Sequence, residues 1–179
     1  MAHLFINALN FDWPIGDWDT SQVMDMQSMF NGAANFNQPI GNWDTSKVTN
    51  MQYLFNNATN FNQPLSGWNT SQVTNMQYLF HQASSFNGEI GNWDTSEVTN
   101  MSNMFVRAST FNQPIGDWDT SKVTNMSFMF HQASTFNQPL SGWNMSQVTA
   151  ATNMLYGVNL STYNYNALLD SRGQQEVQS

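Results

Sequence analysis

The chain has 179 residues, a length typical of one domain, and its net charge of −8 combines 4 Lys+Arg with 12 Asp+Glu. Four scattered cations cannot form the basic surface that binds nucleic acid or an anionic membrane, so both partners are excluded. No apolar run approaches the ~18 residues that span a bilayer, so we expect no membrane insertion. Cysteine is absent, which excludes disulfides and thiolate chemistry.

The first ten residues look like part of a unit that recurs later in the chain. Leu4, Phe5 and Ala8 each lie 50 positions before a residue of the same type. We therefore interpret residues 1–10 as an N-terminal half-unit cap. This start lacks the basic segment and the longer apolar stretch of a secretory signal, so the sequence leaves localisation unknown.

Residues 11–158 contain six copies of a 25-residue unit, without insertion or deletion. We call each set of equivalent residues a row and name it after its member between residues 36 and 60. The clearest rows are those of Trp43, Phe36 and Val48, with tryptophan at Trp18, Trp43, Trp68, Trp93, Trp118 and Trp143. A fixed period of this size indicates a solenoid, in which each unit buries its apolar face against its neighbours.

Part of each unit has the apolar spacing of a helix. Val48, Met51, Phe55 and Ala58 follow one another at steps of 3, 4 and 3, which places them on one face of a helix. The preceding residues 44–46 (Asp-Thr-Ser) supply candidate side chains for capping its N-terminus.

The rest of each unit is short and contains Pro and Gly. We predict a brief strand at 40–43, just after Pro39, because a proline at the start of a strand removes no ladder hydrogen bond. An all-β helix is the alternative, and the helical spacing argues against it. The predicted fold is thus an α/β, leucine-rich-repeat-like solenoid, with one short helix and one short parallel strand per coil and with terminal caps.

The repeat pattern decays after Leu155. The segment from Leu160 to Leu169 has the pattern of an amphipathic helix, and residues 171–179 are polar. We predict that residues 159–179 form a C-terminal capping helix with a polar tail, because a solenoid must cover its last open face. The whole chain, 1–179, is then a single solenoid domain.

The repeat motif is specific enough to suggest a family. One copy contains Trp43, Asp44, Thr45, Ser46, Val48, Met51, Phe55 and Ala58. This motif resembles the 25-residue repeat of the BspA-type leucine-rich-repeat surface proteins, found in bacteria and in some large DNA viruses and protists. The resemblance implies a role in adhesion or protein binding, and a surface or secreted location in bacteria.

Few residues suggest chemistry. His81 and His131 lie two units apart, so a coil spacing of ~4.8 Å separates them by ~10 Å, too far to share a metal ion. Stacked aspartates such as Asp44 and Asp94 could offer weak calcium ligands, but helix capping explains them better. We predict no catalytic residue, no metal and no cofactor, and therefore no enzyme.

Polar rows suggest structural ladders and one alternative function. The asparagine after each phenylalanine, as at Asn37, is predicted to bond neighbouring coils. Stacked Thr, Ser and Asn rows, such as that of Thr45, could instead bind ice or a polysaccharide. Local capping is the competing explanation for the hydroxyl rows.

The positions that vary between units provide the candidate interaction surface. Tyr53, Tyr78 and Phe128 belong to one row in which other units carry Ser or Asn, and Arg107 lies beside it in the most divergent unit. Aromatic and Arg side chains are enriched in protein interfaces. We therefore predict a non-catalytic module that binds a protein partner through these residues.

Overall fold

A computed structural model describes residues 1–177 of the chain, and the side chains of residues 1–169. Residues 1–161 form turns and short extended segments, and one helix of the described chain, α1, spans Thr162–Val177. The predicted polar tail, 171–179, belongs to α1 as far as Val177, and residues 178–179 lie outside the described part.

The helix predicted in each unit is wrong. Residues 51–58 form successive turns, each closed by a hydrogen bond from an N–H to the carbonyl three residues earlier. Tyr53 (φ 58°) and Asn57 (φ 57°) have left-handed backbone conformations, which an α-helix of L-residues excludes. The same two positions are left-handed in all seven such turn segments, from His3 to Gly157.

Alternate N–H groups of each turn segment leave the coil and bind the next one. In segment 51–58, four N–H groups donate over 2.8–3.2 Å to carbonyls 24 residues later. The donor and acceptor pairs are Met51 and Asn75, Tyr53 and Gln77, Phe55 and Leu79, and Asn57 and His81. These N–H groups therefore form hydrogen bonds between coils, whereas in a helix they would form hydrogen bonds within the same segment.

The strand predicted at 40–43 is also wrong. The N–H of Trp43 donates back to the carbonyl of Ile40 (3.1 Å), which closes a turn. The same carbonyl accepts the indole Nε1–H of Trp68 in the next coil (2.9 Å), so it has no role in a strand ladder. Within residues 1–177, parallel pairing is confined to one residue per coil, in the Asn50 row: Asp25, Asn50, Asn75, Asn100, Asn125 and Ala150.

The α/β fold class is therefore wrong as well. The described chain is a stack of coils made mostly of turns and loops, held by hydrogen bonds between coils, with α1 at its C-terminal end. The physical reason is that left-handed residues interrupt any helix, while turns at Ile40 and its equivalents interrupt any strand.

The core of this stack consists of continuous apolar rows. Phe55 is 0% and Trp68 3% exposed, and the phenylalanines and tryptophans of their rows are also buried except in the first coil, where Trp18 is 38% exposed and Phe5 is only partly buried. Rings of the Phe55 row stack on one another with centroids 5.5–5.6 Å apart from Phe5 to Phe130. Each aromatic side chain therefore packs against the coils on both sides, so stability comes from contacts between coils.

The predicted asparagine ladder is confirmed. The side-chain Oδ1 of Asn37 accepts the backbone N–H of Asn62 (2.9 Å), and the same bond recurs along the row. Because Oδ1 and N–H belong to equivalent residues, this row fixes the register between coils at 25 residues.

Candidate binding surface on the turn face

The turn segments stack into one surface, which we call the turn face. It comprises the rows of Tyr53, Asn56 and Asn57. Its members in the five central segments are Ser28, Asn31, Gly32, Tyr53, Asn56, Asn57, Tyr78, His81, Gln82, Asn103, Val106, Arg107, Phe128, His131 and Gln132. Two of the three rows have left-handed backbones, and every left-handed residue of the described chain belongs to one of them.

The structure brings together two of the three predicted aromatic residues. The rings of Tyr53 and Tyr78 stack with their centroids 4.6 Å apart, and both side chains are half-buried. Burial, and to a smaller extent the neighbouring Tyr78, raises the pKa of Tyr53 above its usual range. Phe128 lies two coils beyond Tyr78, with Asn103 between them, and does not join this pair.

Arg107 lies on the same face and is exposed. Its Nε–H donates to Oε1 of Gln132 in the next coil (2.7 Å), and its backbone is left-handed (φ 55°). Among the described members of the turn face there is no Asp or Glu, although the chain has a net charge of −8. The turn face is thus neutral to weakly basic on a strongly acidic protein.

Two histidines extend the aromatic surface, although neither was predicted to be part of it. His81 contacts the edge of Tyr78 (ring centroids 5.2 Å apart), and its Nδ1 lies 2.7 Å from Oδ1 of Asn56. Burial lowers the pKa of His81, and nearby Arg107 lowers it further. The signal was available, because each histidine lies three residues after an aromatic of the Tyr53 row.

His131 repeats this arrangement with a different neighbour. Its ring lies between Phe128 and Tyr156, with centroids 5.6 and 5.0 Å away. The equivalent residue in the preceding coil is Val106 for His131, whereas it is Asn56 for His81. Because valine cannot accept a hydrogen bond, the buried Nδ1 of His131 has no hydrogen-bond partner within the described residues.

The aromatic residues of the Tyr53 row have an unfavourable backbone conformation. Tyr53, Tyr78 and Phe128 have φ values of 58°, 59° and 59°. A left-handed conformation costs an ordinary L-residue about 1–2 kcal/mol, whereas Asn and Gly adopt it more readily. Ser28 and Asn103 occupy the same position in other coils. The fold therefore does not require an aromatic residue there.

The hydroxyl row of Thr45 lies inside the stack. Thr45 is 1% exposed, and its Oγ1–H donates to the carbonyl of Asn69 in the next coil (2.9 Å). The same bond recurs for the row members Thr20, Thr70, Thr95 and Thr120. These hydroxyls cannot contact a large ligand. The Thr49 row is exposed, with each Oγ1–H donating over 3.2–3.3 Å to a carbonyl of the previous coil.

The aspartates predicted to cap helices cap turns instead, since no helix follows them. Oδ1 of Asp19 accepts both the backbone N–H (3.0 Å) and the hydroxyl (2.7 Å) of Ser21. These bonds from Ser21 lower the pKa of Asp19, and the equivalent serines lower the pKa values of Asp44, Asp94 and Asp119. Within the described residues, no group of three or more His, Asp or Glu side chains could hold a metal ion.

These turn caps predict an acid-dependent loss of stability. The pKa of each carboxylate is lower in the folded chain than its ordinary value of 3.8. Their contribution is therefore present above pH 3.8 and is lost as the pH falls through the lower, folded values. We expect four Asp→Asn substitutions to flatten this loss in urea titrations below pH 4. The positions are Asp19, Asp44, Asp94 and Asp119.

Other repeats provide the precedent for these variants, because Asn69 and Asn144 already occupy the same row. As a control, Glu89→Gln with Asp117→Asn removes two negative charges whose carboxylates accept no hydrogen bond from the described residues. This pair should leave the slope steeper than Asp94→Asn with Asp119→Asn does. Equal slopes would show that net charge, and not the turn caps, causes the acid sensitivity.

Comparison with known proteins places the chain in a family. A family model described as "Mycoplasma protein of unknown function, DUF285" matches residues 1–87 and 63–168. The chain belongs to this family. No curated protein and no solved structure matches the chain. Within the described residues, no helix is long and apolar enough to cross a membrane. The function of the DUF285 family is unknown, so any function must be argued from the surface itself.

Proposed function

We propose that the chain is a non-catalytic binding module and that its turn face binds a protein partner. The observation that carries this proposal is the left-handed conformation of Tyr53, Tyr78 and Phe128. Strained residues persist at functional sites when the surrounding structure holds them in place. Here, more favourable residues occupy the same position in neighbouring coils, so the strain serves no general need of the fold.

The chemistry of the turn face suits a protein partner. Half-buried Tyr side chains combine an apolar ring with a polar tip, and Tyr and Arg are over-represented among residues that dominate binding energy. Arg107 is exposed and lies beside this row. Because the described turn face has no carboxylates, an acidic partner meets less repulsion there than at the acidic remainder of the chain.

The test is a triple variant, Tyr53→Asn, Tyr78→Asn and Phe128→Asn. Asparagine relieves about 1–2 kcal/mol of backbone strain at each position, which offsets the loss of ring contacts worth about 0.5–1.5 kcal/mol. We expect a melting temperature close to that of the unmodified chain. Capture of the partner from an extract of the native source should fall more than tenfold, which corresponds to about 1.4 kcal/mol.

The exposed Thr49 row supplies the control and tests the alternative function. Thr74→Val, Thr99→Val and Thr124→Val remove hydroxyls from a different surface, a row that has no positive-φ residue and no aromatic side chain. These changes should leave capture intact. If they abolish binding to a glycan array or ice-shaping activity while the asparagine variant has no effect, the surface binds a polysaccharide or ice. Persistence of capture in both variants would place the binding surface elsewhere.

A further inference from the structure

Exposed hydrophobic side chains concentrate at the two ends of the stack. Large exposed hydrophobic residues at the first end are Leu4, Ile6, Leu9, Trp13, Trp18 and Met24. Those at the second end are Tyr156, Tyr163, Tyr165 and Leu169. Among the described residues, none lies between positions 25 and 155. The described lateral surfaces between these ends therefore expose no large hydrophobic side chain, whereas both ends expose several.

The first coil is apolar even at positions that are mainly polar in other coils. This applies to four of its exposed residues: Ile6 in the Asn56 row, Leu9 in the Thr59 row, Trp13 in the Gln38 row and Met24 in the Thr49 row. Trp13 is 73% exposed. Terminal units of repeat stacks normally carry a polar outer face, which keeps them soluble. The first coil has the opposite composition, as expected of a contact surface.

The last turn segment has a row of N–H groups without hydrogen-bond partners in the described chain. They belong to Ala151, Asn153, Leu155 and Gly157. Their equivalents one coil earlier, at 126, 128, 130 and 132, donate to the next coil over 2.7–2.9 Å. Three of the four residues border a cavity of about 380 Å³ between this segment and α1, which Met154 and Tyr165 also line. The end of the stack is thus an edge of donors beside an apolar cavity.

The first turn segment has the complementary edge. The carbonyls of Ala2, Leu4 and Ile6 accept no hydrogen bond from the described residues. Their equivalents one coil later, at 27, 29 and 31, accept N–H groups of the first segment over 2.6–2.9 Å. Backbone N–H and C=O groups require hydrogen-bond partners, and a second copy of the chain offers to each edge the groups that this edge lacks.

We propose that copies of this chain stack head to tail, with the first coil of one copy on the last turn segment and α1 of the next. In the register of the coils, Asn153, Leu155 and Gly157 would donate to the carbonyls of Ala2, Leu4 and Ile6 of the second copy. At the turn segments, the joint continues the hydrogen bonds already made between neighbouring coils. Apolar side chains of the second copy's first coil would cover the cavity and the exposed side chains of α1.

This contact joins two different surfaces of the same chain, so nothing in it stops after two copies. A heterologous contact of this kind forms open filaments unless its rotation closes a ring. The net charge of −8 on each copy opposes association at low salt, and salt screens that repulsion. We therefore expect association to increase with both protein concentration and salt.

Sedimentation velocity of the purified chain tests the proposal. With increasing concentration, the mass should grow from 20.3 kDa through successive multiples, and at least twofold at the highest concentration in high salt. A single species of 20.3 kDa at every concentration and salt would overturn the proposal.

Two blocked variants distinguish the head-to-tail contact from other modes of association. Leu4→Lys with Ile6→Lys blocks the first end, and Tyr163→Lys with Leu169→Lys blocks the second. Each variant alone should remain monomeric, because it retains one competent end. An equimolar mixture should form dimers of one copy of each and nothing larger, since only one pair of competent ends remains.

The control adds two lysines without touching either end. Gln72→Lys with Thr99→Lys lies on exposed positions in the middle of the stack, and this variant should associate like the unmodified chain. Circular dichroism checks that all variants are folded. If either blocked variant dimerises by itself, two identical ends associate and the head-to-tail contact is wrong. If the mixture forms no dimer, the head-to-tail contact is wrong as well.

Discussion

Replacing Phe80 by Ala should lower the free energy of unfolding by about 3–5 kcal/mol, the usual range for a buried phenylalanine. Phe80 is 0% exposed, and its ring stacks on Phe55 (5.5 Å) and Phe105 (5.6 Å) in the two adjacent coils. Within its own coil it contacts Phe86 (3.8 Å). The substitution therefore leaves a cavity that borders three coils. Urea denaturation followed by circular dichroism measures the effect.

Two further variants calibrate this result. Gln72→Ala, on the exposed surface of the same coil, should change stability by less than about 0.5 kcal/mol. Phe5→Ala, in the same row at the end of the stack, should cost less than Phe80→Ala because Phe5 is only partly buried. A loss below about 1 kcal/mol for Phe80→Ala would show that the row does not form the core.

Excising residues 51–75 should leave the chain folded. The deletion joins Asn50 to Met76, and Asn50 already precedes the equivalent Met51, so every row continues across the junction. In a stack stabilised by contacts between neighbouring coils, removing one coil removes one such contact. We expect the urea m-value to fall by about a seventh, because m follows the surface exposed on unfolding. Circular dichroism and a urea melt measure both results.

An excision out of phase with the repeat provides the control. Deleting residues 51–70 removes fewer residues but shifts one coil by five positions relative to its neighbours. Core and surface rows then face each other at that coil, and we expect a much larger loss of stability. If both deletions unfold the chain completely, contacts between neighbouring coils do not account for its stability.

The repeat and the buried rows were predictable because a 25-residue period needs no knowledge of local structure. The local structure was not predictable from apolar spacing. Residues 51, 54, 55 and 58 form the same stripe on a helix and on these successive turns, and all four are buried. The distinguishing signal was the recurrence of Asn and Gly in the Asn57 row, at Asn7, Gly32, Asn57 and Gly157, which favours left-handed backbone.

A second reason why the local structure was not predictable is that the hydrogen bonds that decide it join residues far apart in the sequence. An N–H group such as that of Phe55 binds Leu79, 24 residues away, so its partner is not visible in a window of one unit. Helix propensity and capping consider only neighbouring residues. When contacts between coils satisfy the backbone, turns rich in Asn and Gln become as stable as a helix.

The candidate surface, too, was predictable from the sequence only in part. Tyr53, Tyr78 and Phe128 share a row because of the period alone, and the structure gives them the left-handed conformation that the sequence could not reveal. The contacts of His81 and His131 depend on the turn between them and the aromatic residues. That these side chains bind a partner remains a prediction.

Near-identical coils also create a difficulty during folding, because any coil can pair with several others. A chain that skips one coil would form almost the same core and expel a 25-residue loop, and closing such a loop costs little more than closing a shorter one. Contacts specific to one pair of coils favour the correct order. Lys122 pairs with Glu97 (2.6 Å), and Lys47 donates to Gln22 (2.8 Å). An exposed ion pair contributes at most about 1 kcal/mol, so these contacts distinguish one neighbour from the next without holding the stack together.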